Sequence, residues 1–434
     1  SGNIAEQFEA SVQQAENELG VEVQELAPQT DAVGQIAAAM ALEPDLVIMA
    51  LDSEFLGVDW AKLTEDYPTT HFVSIAHIDS PGGANWTDVE FADAEGAFLA
   101  GAVAASRTET GVIGYVGAQP GLVGVFRAAF EHGARHVDPT VEVLSIDSLA
   151  ETAYLVFGDV PRAAASARIL LEAGADVIFH AHGTGGIGAL AEVADYHEET
   201  GAEVWGIGVD SDEYLKFLSF PGGESVADRI HTSLVKRFDL AAFVAIQQFQ
   251  DGLLSVSDAS DSEPDEARED ESSATILMDL SNGGFSMATT SYLSSEEEVL
   301  VADLTDRIIK GEIEPEEWSM DATTHYHSTD AVVLATVSEG SCSMAPQVSL
   351  TSGQSIRISL TSDGSAGAGL MVGPLAPSAD PNRLPTLVDR GSWLGDQDLW
   401  AASWSNLWSF AFPGGSTHLP VIVTSPGNWA IACQ

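Results

Sequence analysis

A glycine-rich loop is the first feature of the sequence that could do chemistry. Asp176-Val-Ile-Phe-His180 predicts a buried strand, and Gly183-Thr-Gly-Gly-Ile-Gly188 follows it and opens a helix. A turn of this kind can present backbone N–H groups to a phosphate. The same glycines would also let the helix pack closely on the sheet. The loop by itself leaves both interpretations open.

Other residues that could do chemistry are few. His180 and His182 could ligate a metal, although polar groups at a strand end are the simpler interpretation. Cys342 and Cys433 are too far apart in sequence to predict a zinc site. The chain has no P-loop, no His-Glu-x-x-His and no Gly-x-Ser-x-Gly motif. The motifs therefore predict neither a metal or cofactor nor a catalytic activity.

The composition limits the function further. The chain has 434 residues, 45% of them hydrophobic, which is enough for two or three domains with proper cores. Its 66 acidic and 16 basic residues give a formal charge of −50, which repels nucleic acid and anionic lipid. Adaptation to salt, or an acidic proteome, is the simplest cause; a surface for cationic partners is the alternative. No apolar run reaches ~18 residues, so no membrane span is predicted.

Strand and helix patterns alternate along residues 6–245. Buried strands are predicted at 45–50, 72–76, 111–116 and 176–180, and helices at 7–19, 91–106, 122–136, 161–173 and 187–199. Regular alternation of this kind predicts parallel sheets with helices on both faces. Because there are too many units for one compact sheet, we expect two similar lobes.

The last hundred residues differ from the rest. Residues 335–434 hold only 6 acidic residues against 3 basic ones, and five of the nine tryptophans follow residue 390. Period-two alternation within this part predicts strands, so we expect an all-β, β-sandwich-like domain over 331–434. A disulfide between Cys342 and Cys433 would tie its first strand to its last, whereas two free buried thiols are the alternative.

The sequence resembles one family along most of its length. The blocks that carry the resemblance are Phe91-Ala-Asp-Ala-Glu-Gly-Ala-Phe-Leu-Ala-Gly101, Thr110-Gly-Val-Ile-Gly-Tyr-Val-Gly117, Phe126-Arg-Ala-Ala-Phe-Glu-His-Gly-Ala134, Gly174-Ala-Asp-Val-Ile-Phe-His-Ala181, Gly206-Ile-Gly-Val-Asp-Ser-Asp212, Thr232-Ser-Leu-Val-Lys-Arg-Phe-Asp239, Asn282-Gly-Gly-Phe-Ser-Met-Ala288 and Ile308-Ile-Lys-Gly-Glu-Ile313. Together, over residues 1 to about 320, they resemble the basic-membrane-protein family, the purine-nucleoside receptor lipoproteins of ABC-type transporters.

The resemblance implies an α/β fold of the type I periplasmic-binding class, with two Rossmann-like lobes, a hinge and ligand enclosed between the lobes. The solute-binding domain would cover 1–330. Lobe 1 would comprise about 1–105 and 240–330, and lobe 2 about 106–239. Within lobe 1, residues 256–273 are acidic and nearly devoid of apolar groups, so we expect a mobile, solvated loop.

The resemblance also implies the roles of individual residues. Asp93 stands where the family has an acid on the base edge, and Asp210 matches its ribose-binding acid. Lys236, one of only four lysines, matches the pocket lysine. Gly183 lies in the loop that lets backbone approach the ligand, and Phe157 matches a stacking aromatic. The alternatives are a helix cap for Asp93, a strand-end turn for Asp210, a structural ion pair for Lys236 and plain core for Phe157.

The sequence departs from the family at two places. The family opens with a strand and an Asp-x-Ser-Phe-Asn loop, whereas this chain begins at Ser1-Gly-Asn-Ile, with Asn3 or Ile4 at the aromatic position. Either the start was processed or left out, or the pocket is built differently. We expect Asn3 to approach the ligand, and the resemblance implies a lipid anchor on a cysteine that precedes Ser1. The family's Gly-Gly-Thr-Gly loop reads Gly183-Thr-Gly-Gly here, with His182 in place of a small residue. The two departures together leave purine nucleoside as one ligand among several.

These observations predict a non-enzymatic, extracytoplasmic solute-binding protein. It would be a monomer that binds a nucleoside-like ligand without a cofactor and delivers it to an ABC permease. The alternative is a ligand-sensing or adhesion protein, in which Trp400, Trp404 and Trp408 of the β-domain bind sugar or protein. The simpler interpretation of these tryptophans is that they fill the core of that domain. A nucleoside hydrolase with Asp210 and Asp93 as acid and base is a minor alternative.

Overall fold

The structure is a computed structural model of the chain. It describes residues 4–26, 32–50, 58–76, 83–118, 120–147, 157–254 and 274–315, and the backbone of seven strands between 331 and 433. Asn3, the acidic segment 256–273 and the tryptophans at 400 and 404 lie outside these residues. Among the described helices, none combines the length and the apolar character that a membrane span needs.

The chain divides into two compact units. The first unit comprises Ser1–Asp93 and Lys236–Ser286, and the second comprises Ala94–Val235 and Met287–Gln434. The polypeptide therefore passes from one unit to the other three times. The lobe boundaries drawn from the sequence remain predictions.

The first unit is built around a four-stranded sheet. Its elements are α1 (Ile4–Leu19), α2 (Ala32–Met40), β1 (Leu46–Ala50), α3 (Trp60–Asp66), β2 (His71–Ile75) and β3 (Trp86–Phe91), and, after the chain returns from the second unit, α10 (Phe238–Gln250), β9 (Ala274–Met278) and most of β10 (Phe285–Met287). The strand order is β1-β2-β3-β9, and all three pairings are parallel. Every residue of β2 is buried, as expected for a parallel strand covered on both faces.

The second unit repeats this alternation on a larger scale. Its elements are α4 (Asp93–Arg107, of which all but Asp93 belong here), β4 (Val112–Gly117), α5 (Pro120–Val137), β5 (Glu142–Asp147), α6 (Val160–Glu172), β6 (Val177–Ala181), a 3₁₀ turn (Gly183–Gly185), α7 (Gly186–Thr200), β7 (Trp205–Asp210), α8 (Glu213–Leu218), α9 (Glu224–Ala227), β8 (Ile230–Lys236) and α11 (Ser295–Ile309). The parallel strands run in the order β5-β4-β6-β7-β8. Strand order reverses between β4 and β6, and ligands of open α/β sheets bind at such a point.

The predicted strands and helices of residues 6–245 are all present, with ends shifted by a few residues at most. Their parallel pairing confirms the predicted α/β class. Two glycines explain how closely the first two helices of the second unit pack. A Cβ on Gly101 of α4 would overlap the Phe130 carbonyl of α5, and one on Gly133 would overlap the Phe98 carbonyl. Helix α4 can therefore lie against α5 backbone to backbone, with 11 of its 15 residues buried.

The described backbone of the last hundred residues is entirely in strands. These are β11 (Ala331–Ser338), β12 (Ser341–Met344), β13 (Ser355–Ser362), β14 (Ala368–Pro374), β15 (Leu407–Ala411), β16 (Ser416–Ile422) and β17 (Trp429–Cys433). Cys342 and Cys433 lie on β12 and β17, but their side chains are outside the described part, so the disulfide stays a prediction. The separate β-sandwich-like domain likewise stays a prediction.

Candidate functional site

Asp93 and Lys236 form an ion pair in the first unit. Asp93 is the first residue of α4, just after β3, and Lys236 is the last residue of β8. The Nζ atom of Lys236 lies 2.8 Å from Oδ1 of Asp93, and the lysine side chain is 9% exposed. The structure thus brings together two residues that the sequence singled out separately. The geometry agrees with a structural ion pair and with a polar pair that meets a ligand.

An aromatic cluster lies next to this ion pair. Lys236 Nζ is 5.3 Å from the ring centroid of Phe91, within the range of a cation–π contact. The Phe91 ring in turn packs against Phe238 at 5.3 Å and edge-on against Phe285 at 5.6 Å. This apolar surrounding strengthens the electrostatic interactions of the lysine. Sequence reasoning missed Phe91 as a partner, although it stands two residues before Asp93.

Asp210 of the second unit has an unusual backbone. It ends β7 and has a φ of 68°, in the left-handed region that residues other than glycine seldom occupy. The N–H of Ser211 donates to the carbonyl of Val209 at 2.8 Å. A hydrogen bond from residue i+2 to residue i around a positive central φ defines a strained γ-turn. The predicted ribose-binding acid is therefore a strand-end turn residue as well, and strain of this kind clusters at functional sites.

The glycine loop is packed against three rings. A Cβ on Gly183 would lie 3.2 Å from Cδ1 of Phe157, and Gly183 itself has a φ of 54°. A Cβ on Gly185 would overlap the His182 ring, and one on Gly186 would overlap the His180 ring. The glycines thus make room for neighbouring side chains where β6 meets α7. Phe157 and Gly183, predicted independently, are in contact, and the Phe157 side chain is only partly buried.

Two buried histidines have distinct surroundings beside this loop. His180 Nε2 lies 3.1 Å from Oε2 of Glu213, and both side chains are buried. Burial, together with the charge of His180, lowers the pKa of His182 to about 4, so His182 is neutral at pH 7. Within the described residues, no group of three His, Cys, Asp or Glu side chains could hold a metal ion. The two histidines are therefore not assembled into a metal site there.

Glu213 is a residue that sequence reasoning missed. Burial alone would raise its pKa, but the charges of His180 and Lys216 and their hydrogen bonds to the carboxylate outweigh burial and lower it. Lys216 Nζ lies 3.3 Å from Oε1 of Glu213. The signal in the sequence was an acid directly after Asp212, at the start of a helix. Nothing in that local pattern indicated that its partner would be a strand histidine.

The predicted site residues that the structure describes lie at three places. Asp93 and Lys236 are paired in the first unit, and Phe157 and Gly183 are in contact in the second. Asp210 ends a neighbouring strand of that second unit. Asn3 lies outside the described residues. The ligand contacts of all these residues stay predictions.

Comparison with curated proteins and solved structures gives consistent results. Basic membrane protein A1 of Borrelia garinii subsp. bavariensis is 37% identical over 138 residues, which are 31% of this chain and 37% of that protein. The CD4+ T-cell-stimulating antigen of Listeria monocytogenes is 30% identical over 160 residues, or 36% of this chain and 43% of that protein. The matched part thus spans well under half the length of these curated relatives.

Solved structures share the fold. A transcriptional activator of the comK gene from Bacillus halodurans aligns with a TM-score of 0.53 and 20% identity, over 71% of this chain and 95% of that one. An ABC transporter solute-binding protein from Aeropyrum pernix K1 aligns with a TM-score of 0.51 and 19% identity, over 74% and 90%. At such low identity, these structural alignments show the fold alone, which is that of type I periplasmic-binding proteins.

The sequence model of one family covers most of the α/β part of the chain. It is the Bmp family, described as ABC transporter substrate-binding protein PnrA-like, and it matches residues 6–259, more than half of the chain. The chain therefore belongs to the Bmp family of ABC transporter substrate-binding proteins.

Proposed function

We propose that this protein binds a nucleoside-like solute, with purine nucleosides favoured, and delivers it to an ABC permease. The observation that carries the proposal is the strained turn at Asp210, because backbone strain persists where function requires a particular geometry. A carboxylate fixed in this way suits the hydroxyl groups of a ribose, which donate hydrogen bonds to it. Family membership supports the class of activity, and the residues support its finer assignment.

The remaining predicted residues fit the other parts of a nucleoside. Asp93 and Lys236 together offer acceptors and donors, which a polar base edge needs in exchange for its lost hydration. The partly buried ring of Phe157 offers a flat apolar face, and stacking of a base on such a ring contributes about 1–3 kcal/mol.

We also propose a cellular location and an oligomeric state for the protein. Membership of a substrate-binding family supports an extracytoplasmic protein, and the resemblance to receptor lipoproteins supports a lipid anchor. We further propose that the protein is a monomer. Incorporation of labelled palmitate into the protein in its native host tests the anchor, and light scattering of the purified chain tests the monomer. An unlabelled protein would contradict the anchor, and a stable dimer the monomeric state.

Ligand identification tests the binding function directly. Mass spectrometry of small molecules released from the denatured protein should find a nucleoside. Inosine, guanosine or adenosine should then raise the temperature of thermal unfolding. A ligand at 100 times its Kd adds about 2.7 kcal/mol to the free energy of unfolding. Free ribose and glucose serve as controls. If no nucleoside raises the unfolding temperature and none is released, the nucleoside assignment is wrong.

The same samples test the absence of catalysis. Prolonged incubation with inosine or adenosine should leave the nucleoside intact, because we assign Asp93 and Asp210 to binding. Release of free base at a rate that depends on Asp210 would contradict this assignment and favour a hydrolase.

A further inference from the structure

A buried polar pair lies beside Asp210, and solute binding alone does not explain it. The side chains of His180 and Glu213 are 0% and 2% exposed, and their facing atoms are 3.1 Å apart. Lys216 adds a second contact to the same carboxylate. A buried polar pair of this kind is a weak source of stability, because the cost of desolvating its two groups offsets most of their attraction. Its presence at this position therefore calls for another role.

The position of Glu213 in the sheet indicates that role. Glu213 follows β7 by three residues, and β7 lies between β6 and β8. Its side chain reaches His180 on β6, while its backbone N–H donates to Oγ of Ser233 on β8 at 3.1 Å. The residue that begins α8 is thus tied to both strands that flank β7. Both contacts therefore hold the chain just after the turn that contains Asp210.

Close packing over β7 reinforces the two ties. Gly208 has no side chain, and a Cβ there would lie 2.6 Å from Oγ of Ser233 and 3.0 Å from Cβ of Glu213. The carboxylate of Asp212 also accepts from the N–H of Leu215 at 3.1 Å and so caps α8. The chain that leaves β7 is therefore fixed on each side of Ser211, which is itself buried.

We propose that His180 and Glu213 are positioning residues, whose buried pair holds the turn at Asp210 in the shape that presents its carboxylate to the ligand. The turn is strained, so it needs such support to persist. The proposal rests on the proposed function for its ligand, but the effect of the pair on the turn itself can be measured without one.

The same unit contains a matched control. His231 and Glu297 form a second buried pair, 2.8 Å apart, with side chains 1% and 9% exposed. His231 lies near the start of β8, at the amino edge of the parallel strands, whereas His180 and Asp210 lie at their carboxyl edge. Loss of either pair should destabilise the fold. Only loss of the His180–Glu213 pair should affect the turn.

The experiment uses the full chain and the variants Glu213→Ala, Glu213→Gln and Glu297→Ala. Amide hydrogen exchange reports on the N–H of Ser211, whose hydrogen bond closes the turn. Calorimetric titration with inosine, guanosine and adenosine reports on binding. Glu213→Ala should speed exchange at Ser211 by about tenfold or more and weaken nucleoside binding by a similar factor. Glu213→Gln keeps an oxygen that can accept from His180, so it should recover most of both effects.

The control variant separates positioning from general stability. Glu297→Ala should lower the unfolding temperature at least as much as Glu213→Ala, because Glu297 also accepts from the Ser294 N–H in the capping box of α11. Exchange at Ser211 and nucleoside affinity should nevertheless stay at wild-type values. Unchanged exchange at Ser211 in Glu213→Ala, or an equal change in Glu297→Ala, would overturn the proposal. If the wild-type protein binds none of the three nucleosides, the ligand assignment fails, and the exchange measurement still decides the role of the pair.

Discussion

Lys236 Nζ lies 2.8 Å from Asp93 Oδ1, with the lysine side chain 9% and the aspartate side chain 24% exposed. The pair joins the end of β8 to the start of α4, two points that are far apart in the sequence. In a chain with 16 basic and 66 acidic residues, few acids can have a buried cation as partner.

Replacement of Lys236 by Met should reduce both stability and binding. Asp93 would lose its cation while remaining mostly buried, so the free energy of unfolding should fall by about 2–3 kcal/mol, at or below the lower end for a broken buried pair. Nucleoside affinity should fall by about tenfold or more. Urea unfolding and calorimetric titration measure the two effects.

Two further variants test this explanation. Lys62→Met breaks an exposed pair with Asp66 and should leave stability and binding unchanged. The double variant Asp93→Asn/Lys236→Met should recover much of the lost stability and none of the affinity. If the double variant also binds as tightly as wild type, the pair is structural only.

Replacement of Asp210 by Gly should stabilise the fold and abolish tight binding. Strain at a position with positive φ costs about 1–3 kcal/mol, and glycine relieves it. Glycine also has more freedom in the unfolded chain, which lowers the free energy of unfolding by about 0.5–1 kcal/mol. We expect the free energy of unfolding, measured in urea, to rise by about 1 kcal/mol.

Glu43→Gly is the control for Asp210→Gly, because exposed Glu43 has a φ of 52° in a turn after α2. It should gain stability similarly without loss of nucleoside affinity. Full affinity in Asp210→Gly would refute the ribose-binding role.

Replacement of Gly185 by Ala should destabilise the second unit through the His182 ring. The new Cβ would overlap that ring, and overpacking of a buried site costs about 1–3 kcal/mol. The second change His182→Ala removes the ring and should recover most of the loss. Gly158→Ala is the control, since a Cβ there would meet nothing within 4 Å. Thermal unfolding is measured for the wild type, Gly185→Ala, Gly185→Ala/His182→Ala and Gly158→Ala. If the double variant is no more stable than Gly185→Ala, the overlap with the His182 ring is not the cause of the loss.

His182 should make the fold sensitive to mild acid. Its pKa is about 4 in the folded protein against an ordinary value of 6.5, because burial disfavours the charged ring. Above pH 6.5 His182 is neutral in both the folded and the unfolded state, and its protonation takes nothing from the free energy of unfolding. As the pH falls from 6.5 towards 4, the unfolded state takes up the proton first, and stability falls by up to about 3 kcal/mol.

The variant His182→Asn isolates this contribution. The free energy of unfolding, measured in urea at about pH 7.5 and at about pH 5, should fall less in the variant than in wild type. Burial also lowers the pKa values of His71, His132 and His136, so part of the acid sensitivity should remain. An identical fall in both proteins would show that His182 does not titrate in this range.

The sequence by itself determined the α/β class and the succession of elements. Apolar runs such as Asp176-Val-Ile-Phe-His180 and the amphipathic stretches between them recur with fixed periods, and those periods are local properties of the chain. The order of short motifs determined the family in the same way. Individual residues such as Asp93 and Lys236 could be singled out because they fell within those motifs.

Only the tertiary structure decided which of these residues meet. Lys236 finds Asp93 because β8 ends where α4 begins, and His180 finds Glu213, 33 residues later, because β6 and β7 are neighbours in the sheet. The positive φ of Asp210 and the hydrogen bond from the Glu213 N–H to Ser233 on the next strand are likewise features of the folded chain. Local sequence could not predict these features, because non-local pairing between strands creates them.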